Sequence, residues 1–256
     1  MAKCSCSEDK SRGKICQLAS GCLNRESAIE WTEKTCGDSS RCTNRMFSNY
    51  KSQPCFDKIV AFPTAKKGWG VRTIIPLKKG DFVIEYLGEV IPKNLYQWRL
   101  NRKDTEDALY FLELDTNLYI DAEYMGNLSR LINHSCQPNC CTEKYISQGK
   151  QVVGIFAKCD IRAGTELTFD YDFEYDGNEF PCCCEAKGCR GYISRLPQNK
   201  IPQNKGETRE KQSQEDQENV WALKQVSKYG PGPKVFRGSF ECDVCGKWFR
   251  KESVRC

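Results

Sequence analysis

The stretch Arg130-Leu131-Ile132-Asn133-His134-Ser135-Cys136-Gln137-Pro138-Asn139 sets a short apolar run against a dense block of polar side chains. His134 is the only histidine in the chain. A lone histidine is more often a structural residue with satisfied ring nitrogens than a ligand or a base. Its company changes that reading. A guanidinium, three amides, a hydroxyl and a thiol lie close by in sequence, next to runs that read as apolar strand. A pocket for a small molecule needs this combination, a few oriented donors in an otherwise dry surround.

Working outward, short runs split by Gly, Pro and Asn read as strands over 58–62, 71–75, 82–86, 110–114, 118–122, 152–157 and 166–171. The segment 92–103 reads as a helix, with proline at its first turn followed by Leu95, Tyr96 and Arg99. A shorter helix is predicted over 126–132, leading into the polar block. The fold class is therefore mostly β with small helices. Segments 70–80 and 154–164 each carry a strand, a turn and a second glycine ten residues on, then a strand ending in Tyr86 or Tyr171. The simpler reading is two hairpins with glycine turns rather than a repeat.

Composition narrows the class. Of 256 residues, 39% are hydrophobic and 29% charged, with mean hydropathy −0.64. No run approaches the roughly 18 apolar residues of a membrane span. Met1-Ala2-Lys3-Cys4-Ser5-Cys6 lacks the apolar core of a secretory leader, so neither a membrane protein nor a conventionally exported one is expected.

The outlier is cysteine, 18 in all. Cys4 and Cys6, Cys140 and Cys141, and Cys182, Cys183 and Cys184 are too close in sequence to bridge without strain, whereas thiolates converging on zinc tolerate such crowding. Residues 1–56 are too poor in aliphatic runs to build their own core, and metal cross-links are the natural remedy.

Residues 57–175 form the strand-rich body and 176–195 a second cysteine-rich segment. In 196–238 Pro197-Gln198-Asn199-Lys200 recurs as Pro202-Gln203-Asn204-Lys205, followed by a Gln/Glu/Lys-rich run, which predicts a disordered linker. Residues 239–256 hold the opening half of a two-Cys, two-His zinc finger, Cys242 and Cys245, with no histidine after them. This finger lacks a complete tetrahedral site and is expected to be disordered or truncated. The net charge is +5, and residues 196–256 contribute 12 basic against 8 acidic groups. Ten zinc-bound thiolates would leave the body mildly acidic, which gives little support to a nucleic-acid binder and suits a cationic peptide partner.

Lys67-Gly68-Trp69-Gly70, Glu85-Tyr86-Leu87-Gly88-Glu89, Asn133-His134-Ser135-Cys136 and Glu166-Leu167-Thr168-Phe169-Asp170-Tyr171, in that order, resemble the signature motifs of a SET domain. The cysteines before them resemble an AWS domain. Cys182, Cys184 and Cys189, followed by Arg190-Gly191, resemble a post-SET motif. The resemblance covers about residues 4–195 and is to the AWS–SET histone lysine methyltransferases. The runs 84–90 and 120–127 are most similar to the absent-small-homeotic group. It implies a SET-domain β-clip fold flanked by zinc-bound AWS and post-SET modules.

In that family S-adenosylmethionine binds on one face and the target lysine enters a narrow channel from the other. The resemblance implies that Lys67, Gly68, Trp69, Tyr110, Arg130, Asn133 and His134 hold the cofactor. Tyr171, and after it Tyr86, are the implied catalytic residues, and Phe169 and Tyr124 line the substrate channel. Phe169 in place of a tyrosine leaves room for dimethylation and allows trimethylation. Zinc is implied at Cys136, Cys182, Cys184 and Cys189, and in the AWS module at Cys4, Cys6, Cys16, Cys22, Cys36 and Cys42. The family's AWS cluster takes seven cysteines and two ions. Trp31 stands where relatives carry another, so two or three ions in all are expected. A nearby Glu, Asp, water or Cys55 completes the second AWS site, or that site is weak. Cys55, Cys140, Cys141, Cys159 and Cys183 remain as free or packing thiols.

The implied partners are the histone H3 tail, lysine 36 above all, and the nucleosome, with DNA contacted indirectly, no membrane, a monomeric chain and a nuclear, chromatin-bound location. Segment 174–181 is a candidate blocking loop over the channel. Two rival readings stand beside this: a methyltransferase of a non-histone protein, and a SET-like interaction module of a zinc-finger regulator. The half finger at 239–256 motivates the second rival. The Asn-His-Ser-Cys block and the AWS cysteines speak against it.

Overall fold

Leu167, Val71 and Ile155 have no exposed surface, and each sits on a different strand of one apolar centre. The computed structural model describes residues 4–8, 13–17, 21–38, 40–52, 58–103, 108–173 and 180–195, and the backbone of three short strands beyond them. Among the described residues, ten strands build the body. β1 (Ile59–Pro63) and β2 (Trp69–Thr73) pair antiparallel, β2 pairs with β10 (Glu166–Phe169), and β10 lies parallel to the two-residue β7 (Asn133–His134). β3 (Phe82–Glu85), β9 (Lys150–Ala157) and β8 (Cys140–Ser147) form a second sheet. β4 (Glu89–Pro92), β6 (Leu118–Asp121) and β5 (Phe111–Asp115) form a third.

The strands foreseen in the sequence are present to within a residue or two. β4, β7 and β8 were not foreseen. The predicted helix is α3 (Lys93–Leu100), which follows α1 (Leu23–Glu26) and α2 (Met46–Ser52) in the chain. Pro92 caps α3 from the end of β4 in extended backbone, where its missing N–H costs nothing. The shorter predicted helix is a 3-10 turn, Leu128–Leu131, capped by Asn127, whose side chain accepts from Ser129 N.

The two echoing segments are not hairpins. β2 and β3 lie in different sheets, β2 bonded to β10 and β3 to β9, so each segment pairs with the other instead of with itself. Leu77 and Ile161 exchange both main-chain hydrogen bonds at 2.8 Å where the segments cross. The result is an interlocked pair that holds β10 in the centre of the molecule.

The N-terminal segment docks on β8. Glu30 N donates to Ile146 O, and Ile146 N to Ala28 O. The Glu30 carboxylate has no exposed surface and accepts from Ser48 N, Ser48 Oγ and Ser147 Oγ. A separate sheet of Val235–Phe236, Ser239–Glu241 and Trp248–Arg250 spans the end of the expected linker and part of the half finger, whose other residues lie outside the described ones. So do Cys55 and residues 174–179 of the candidate blocking loop. Among the described residues no helix is long and apolar enough to cross a membrane.

Candidate active site

The parallel pairing of β7 with β10 brings the two polar motifs together, with Thr168 opposite Asn133 and Phe169 opposite His134. Ser135 N donates to Phe169 O, which carries the pairing one residue further. Tyr171 N donates to His134 Nδ1 at 3.2 Å, and the two rings meet edge-on with centroids 5.4 Å apart. An accepting Nδ1 places the ring proton on Nε2, which faces Cys136 Sγ at 3.4 Å. Burial brings the His134 pKa down to about 4, against the pull of Asp170 and with Arg190 and Lys67 adding to the fall, so the imidazole is neutral near pH 7.

Tyr171 is held by rings and by one hydrogen bond. Its ring packs on Phe169 and Phe173 at centroid distances of 4.8 and 5.7 Å, and its hydroxyl donates to Ile132 O at 2.9 Å. Tyr86 is buried and donates to Tyr110 O at 3.0 Å. Burial pushes both phenols well above their ordinary pKa. The neighbouring phenols add to it, Tyr110 for Tyr171 and Tyr171 for Tyr86. The Arg130 guanidinium lies 4.1 Å over the Tyr110 ring and is anchored to Ala122 O and Glu123 O. Tyr124, by contrast, is 58% exposed and takes no part in these ring contacts.

On the other side, the turn before β2 brings Lys67, Gly68 and Trp69 against β7. Gly68 turns with φ +68°, which an L side chain resists. Asn133 Nδ2 donates to Trp69 O at 3.1 Å and to Glu166 Oε1 at 3.0 Å, and Lys67 Nζ is 2.9 Å from both oxygens of Glu166. The backbone of Gly70 passes so close that a Cβ there would stand 2.8 Å from Thr64 Cγ2 and 3.1 Å from Asn133 Nδ2.

The described residues hold three sulfur clusters. Cys136, Cys182, Cys184 and Cys189 lie with all four sulfurs within 4.8 Å of one another, as do Cys4, Cys6, Cys16 and Cys22, and Cys16 meets Cys36 and Cys42 in a third group. Cys136 Sγ is 3.8 Å from Cys182 Sγ and 3.9 Å from Cys189 Sγ. A tetrahedral ion with metal–sulfur bonds of about 2.3 Å has edges of about 3.8 Å. The spacing therefore fits sulfurs around one zinc, not a disulfide. Burial raises the Cys184 thiol, but donation from the Cys136 and Ala186 N–H groups outweighs it and brings the pKa down to about 6.

The sequence reading missed the residues that hold these parts together. Glu166 ties Lys67 to Asn133. Asp170 takes a two-pronged contact from Arg190, Nη1 to Oδ2 at 2.7 Å and Nη2 to Oδ1 at 2.9 Å, while Arg190 N donates to Cys136 Sγ. Asp170 and Arg190 stand inside motifs quoted above, so position could have found them. Their pairing across 20 residues could not be read from pattern.

Residues 68–172 match the SET domain family. Over 225 residues the chain is 40% identical to the histone-lysine N-methyltransferase, H3 lysine-36 specific, of Schizosaccharomyces pombe, a match covering 84% of this chain and 27% of that protein. It is 35% identical over 269 residues to the human protein of the same description, 91% of this chain and 10% of the other. To the histone-lysine N-methyltransferase ash1 of Drosophila melanogaster it is 37% identical over 184 residues, 71% of this chain and 8% of the other. The chain thus spans about a quarter or less of the curated relatives it matches. The interlocked sheets, the His134–Tyr171 junction and these likenesses agree: the chain carries a SET domain.

Proposed function

We propose that the chain is an S-adenosylmethionine-dependent protein lysine N-methyltransferase acting in the nucleus on histone H3, at lysine 36. The observation that carries this reading is the β7–β10 pairing, which puts Asn133, His134, Phe169 and Tyr171 in one place beside the Lys67–Trp69 turn. The descriptions of the relatives support the substrate.

S-adenosylmethionine, when bound, supplies an electrophilic methyl group on a sulfonium. The residues present fit it. A side-chain-free backbone at Gly68 and Gly70 allows close approach, and both amide protons of Asn133 are already engaged, which leaves its carbonyl oxygen able to accept. His134, neutral, adds no charge that would repel a sulfonium.

The protein's task at the other side is to receive a lysine without its proton. A lysine ammonium has a pKa of about 10.4 in water. The buried rings of Phe169 and Tyr86 and the partly buried ring of Tyr171 penalise the cation and favour the free amine. Both phenols donate to main-chain carbonyls, so their oxygens meet a substrate only as acceptors, able to align an amine N–H. Neither phenol ionises near neutral pH, so neither is a general base, and the lysine proton leaves to water. Alignment and desolvation then supply most of the acceleration. Phe169 offers no hydroxyl to hold a water beside the amine, which leaves room for a dimethylated product and allows a trimethylated one.

The zinc-like clusters would hold structural ions, the C-terminal one bracing Cys136 behind His134. Transfer of label from S-adenosylmethionine to recombinant nucleosomes tests the reading. We expect incorporation into H3 that is lost in Asn133→Ala protein. Cofactor binding with no transfer to any histone would favour the interaction-module reading, and transfer only to other proteins the non-histone one.

A further inference from the structure

The N-terminal cysteines raise a separate question of metal chemistry. Cys16 belongs to two sulfur groups at once: the four with Cys4, Cys6 and Cys22, and the three with Cys36 and Cys42. Its sulfur stands 3.7 Å from Cys4 Sγ and 3.8 Å from Cys36 Sγ, an edge length suited to an ion on either side. Cys4, Cys16, Cys22, Cys36 and Cys42 are all buried.

The smaller group ends at three. No carboxylate or imidazole among the described residues joins it. Asp38, two residues beyond Cys36, is committed elsewhere: Oδ2 accepts from Arg41 Nε at 2.6 Å, and Oδ1 accepts from Ser40 N and Oγ. Trp31 packs against the cluster, but an indole N–H only donates and has no lone pair for a metal. That nitrogen is itself shut off from solvent and finds no acceptor among the described residues.

We propose that Cys16, Cys36 and Cys42 hold a second zinc ion through three thiolates, its fourth position open to water or a small anion. The N-terminal module would then carry one firmly held ion and one exchangeable ion that share Cys16. A closed four-thiolate site gives up its metal only when a thiolate leaves, whereas an open position lets an entering chelator bind first. An outer-shell partner alone is worth roughly 10–100-fold in metal affinity, so a missing ligand is worth at least as much. The inference concerns metal binding only and does not depend on methyl transfer.

The test is zinc release from the full zinc-loaded chain to a chromophoric chelator, together with cobalt substitution. We expect three bound equivalents, one for each sulfur group, with one leaving at least about tenfold faster than the other two. Cys42→Ser should abolish the fast equivalent and spare the slow ones. Trp31→Cys should convert the fast equivalent to a slow one. Azide added to the cobalt-loaded wild type should shift its spectrum, a readout that needs no variant. Binding of only two equivalents at saturating zinc would overturn the proposal, as would one common release rate or an azide-insensitive spectrum. It would also fail if Cys55→Ser turned three slow equivalents into two slow and one fast, since Cys55, outside the described residues, would then be the fourth ligand.

Discussion

Tyr171 and Tyr86 each commit their hydroxyl proton to a carbonyl oxygen, of Ile132 and of Tyr110, and that choice decides how they meet a substrate. Tyr171→Phe should keep the ring packing and cost about 1 kcal/mol of stability. In kinetics it should lower kcat by about 100-fold or more, the scale of losing one preorganised polar group at a reacting centre. Both phenols have folded-state pKa values above the ordinary value of about 10. Their contribution to stability is therefore fully present below pH 10 and is lost as pH rises beyond it. The methylation rate should climb with pH as the substrate lysine loses its proton, with no fall from phenolate formation below pH 10; a pH–rate profile checks this. Glu166→Gln should loosen the hold on Asn133 and Lys67 and raise KM for the cofactor several-fold with little change in kcat, a split that initial-rate kinetics measures. Tyr171, Asn133 and His134 could be picked out from motif and polar density. Glu166 opens one of the quoted motifs, but its role could not be read there, because a glutamate opening a strand looks like any solvated residue until Lys67 and Asn133 are seen to close on it.

The decisive element is β10, bonded on one side to β2 and on the other to β7. Gly70→Ala would push a methyl group into Thr64, Glu166 and Asn133 near the start of β2. We expect a loss of about 1–3 kcal/mol, measured by denaturant unfolding, with cofactor affinity falling in step. Most strands were visible to within a residue or two because Gly, Pro and Asn break the chain into short runs that end where the strands end. Their partners were not visible. Segments 70–80 and 154–164 carry the same pattern whether each folds back on itself or clasps the other, and only the exchanged bonds of Leu77 and Ile161 reveal the clasp. β8 was missed for a related reason. Thr142, Glu143 and Lys144 interrupt its alternation, and its burial comes from β9 and the N-terminal segment rather than from an apolar run.

At the scale of the molecule, cysteine modules at both ends are fastened to the SET body by polar contacts. Neighbouring cysteines that cannot bridge pointed to metal, and the family resemblance grouped them into the sets that the structure brings together. Docking was hidden, because Glu30 within Ala28-Ile29-Glu30-Trp31 reads as a surface charge, yet it is buried under Ser48 and Ser147. Glu30→Ala would leave those donors without their acceptor and should cost about 1–3 kcal/mol, visible as a lower thermal midpoint. The contacts from Arg190 to Asp170 and Cys136 make the C-terminal cluster part of the active site's frame. At the His134–Tyr171 junction, we propose, a methyl group passes to a histone lysine. Mass spectrometric mapping of H3 from nucleosomes incubated with S-adenosylmethionine and either wild-type or Tyr171→Phe protein addresses it directly. We expect methylated lysine 36 with the wild type and almost none with the variant; unmodified H3 with a wild-type protein that binds the cofactor, or equal methylation by both, would contradict it.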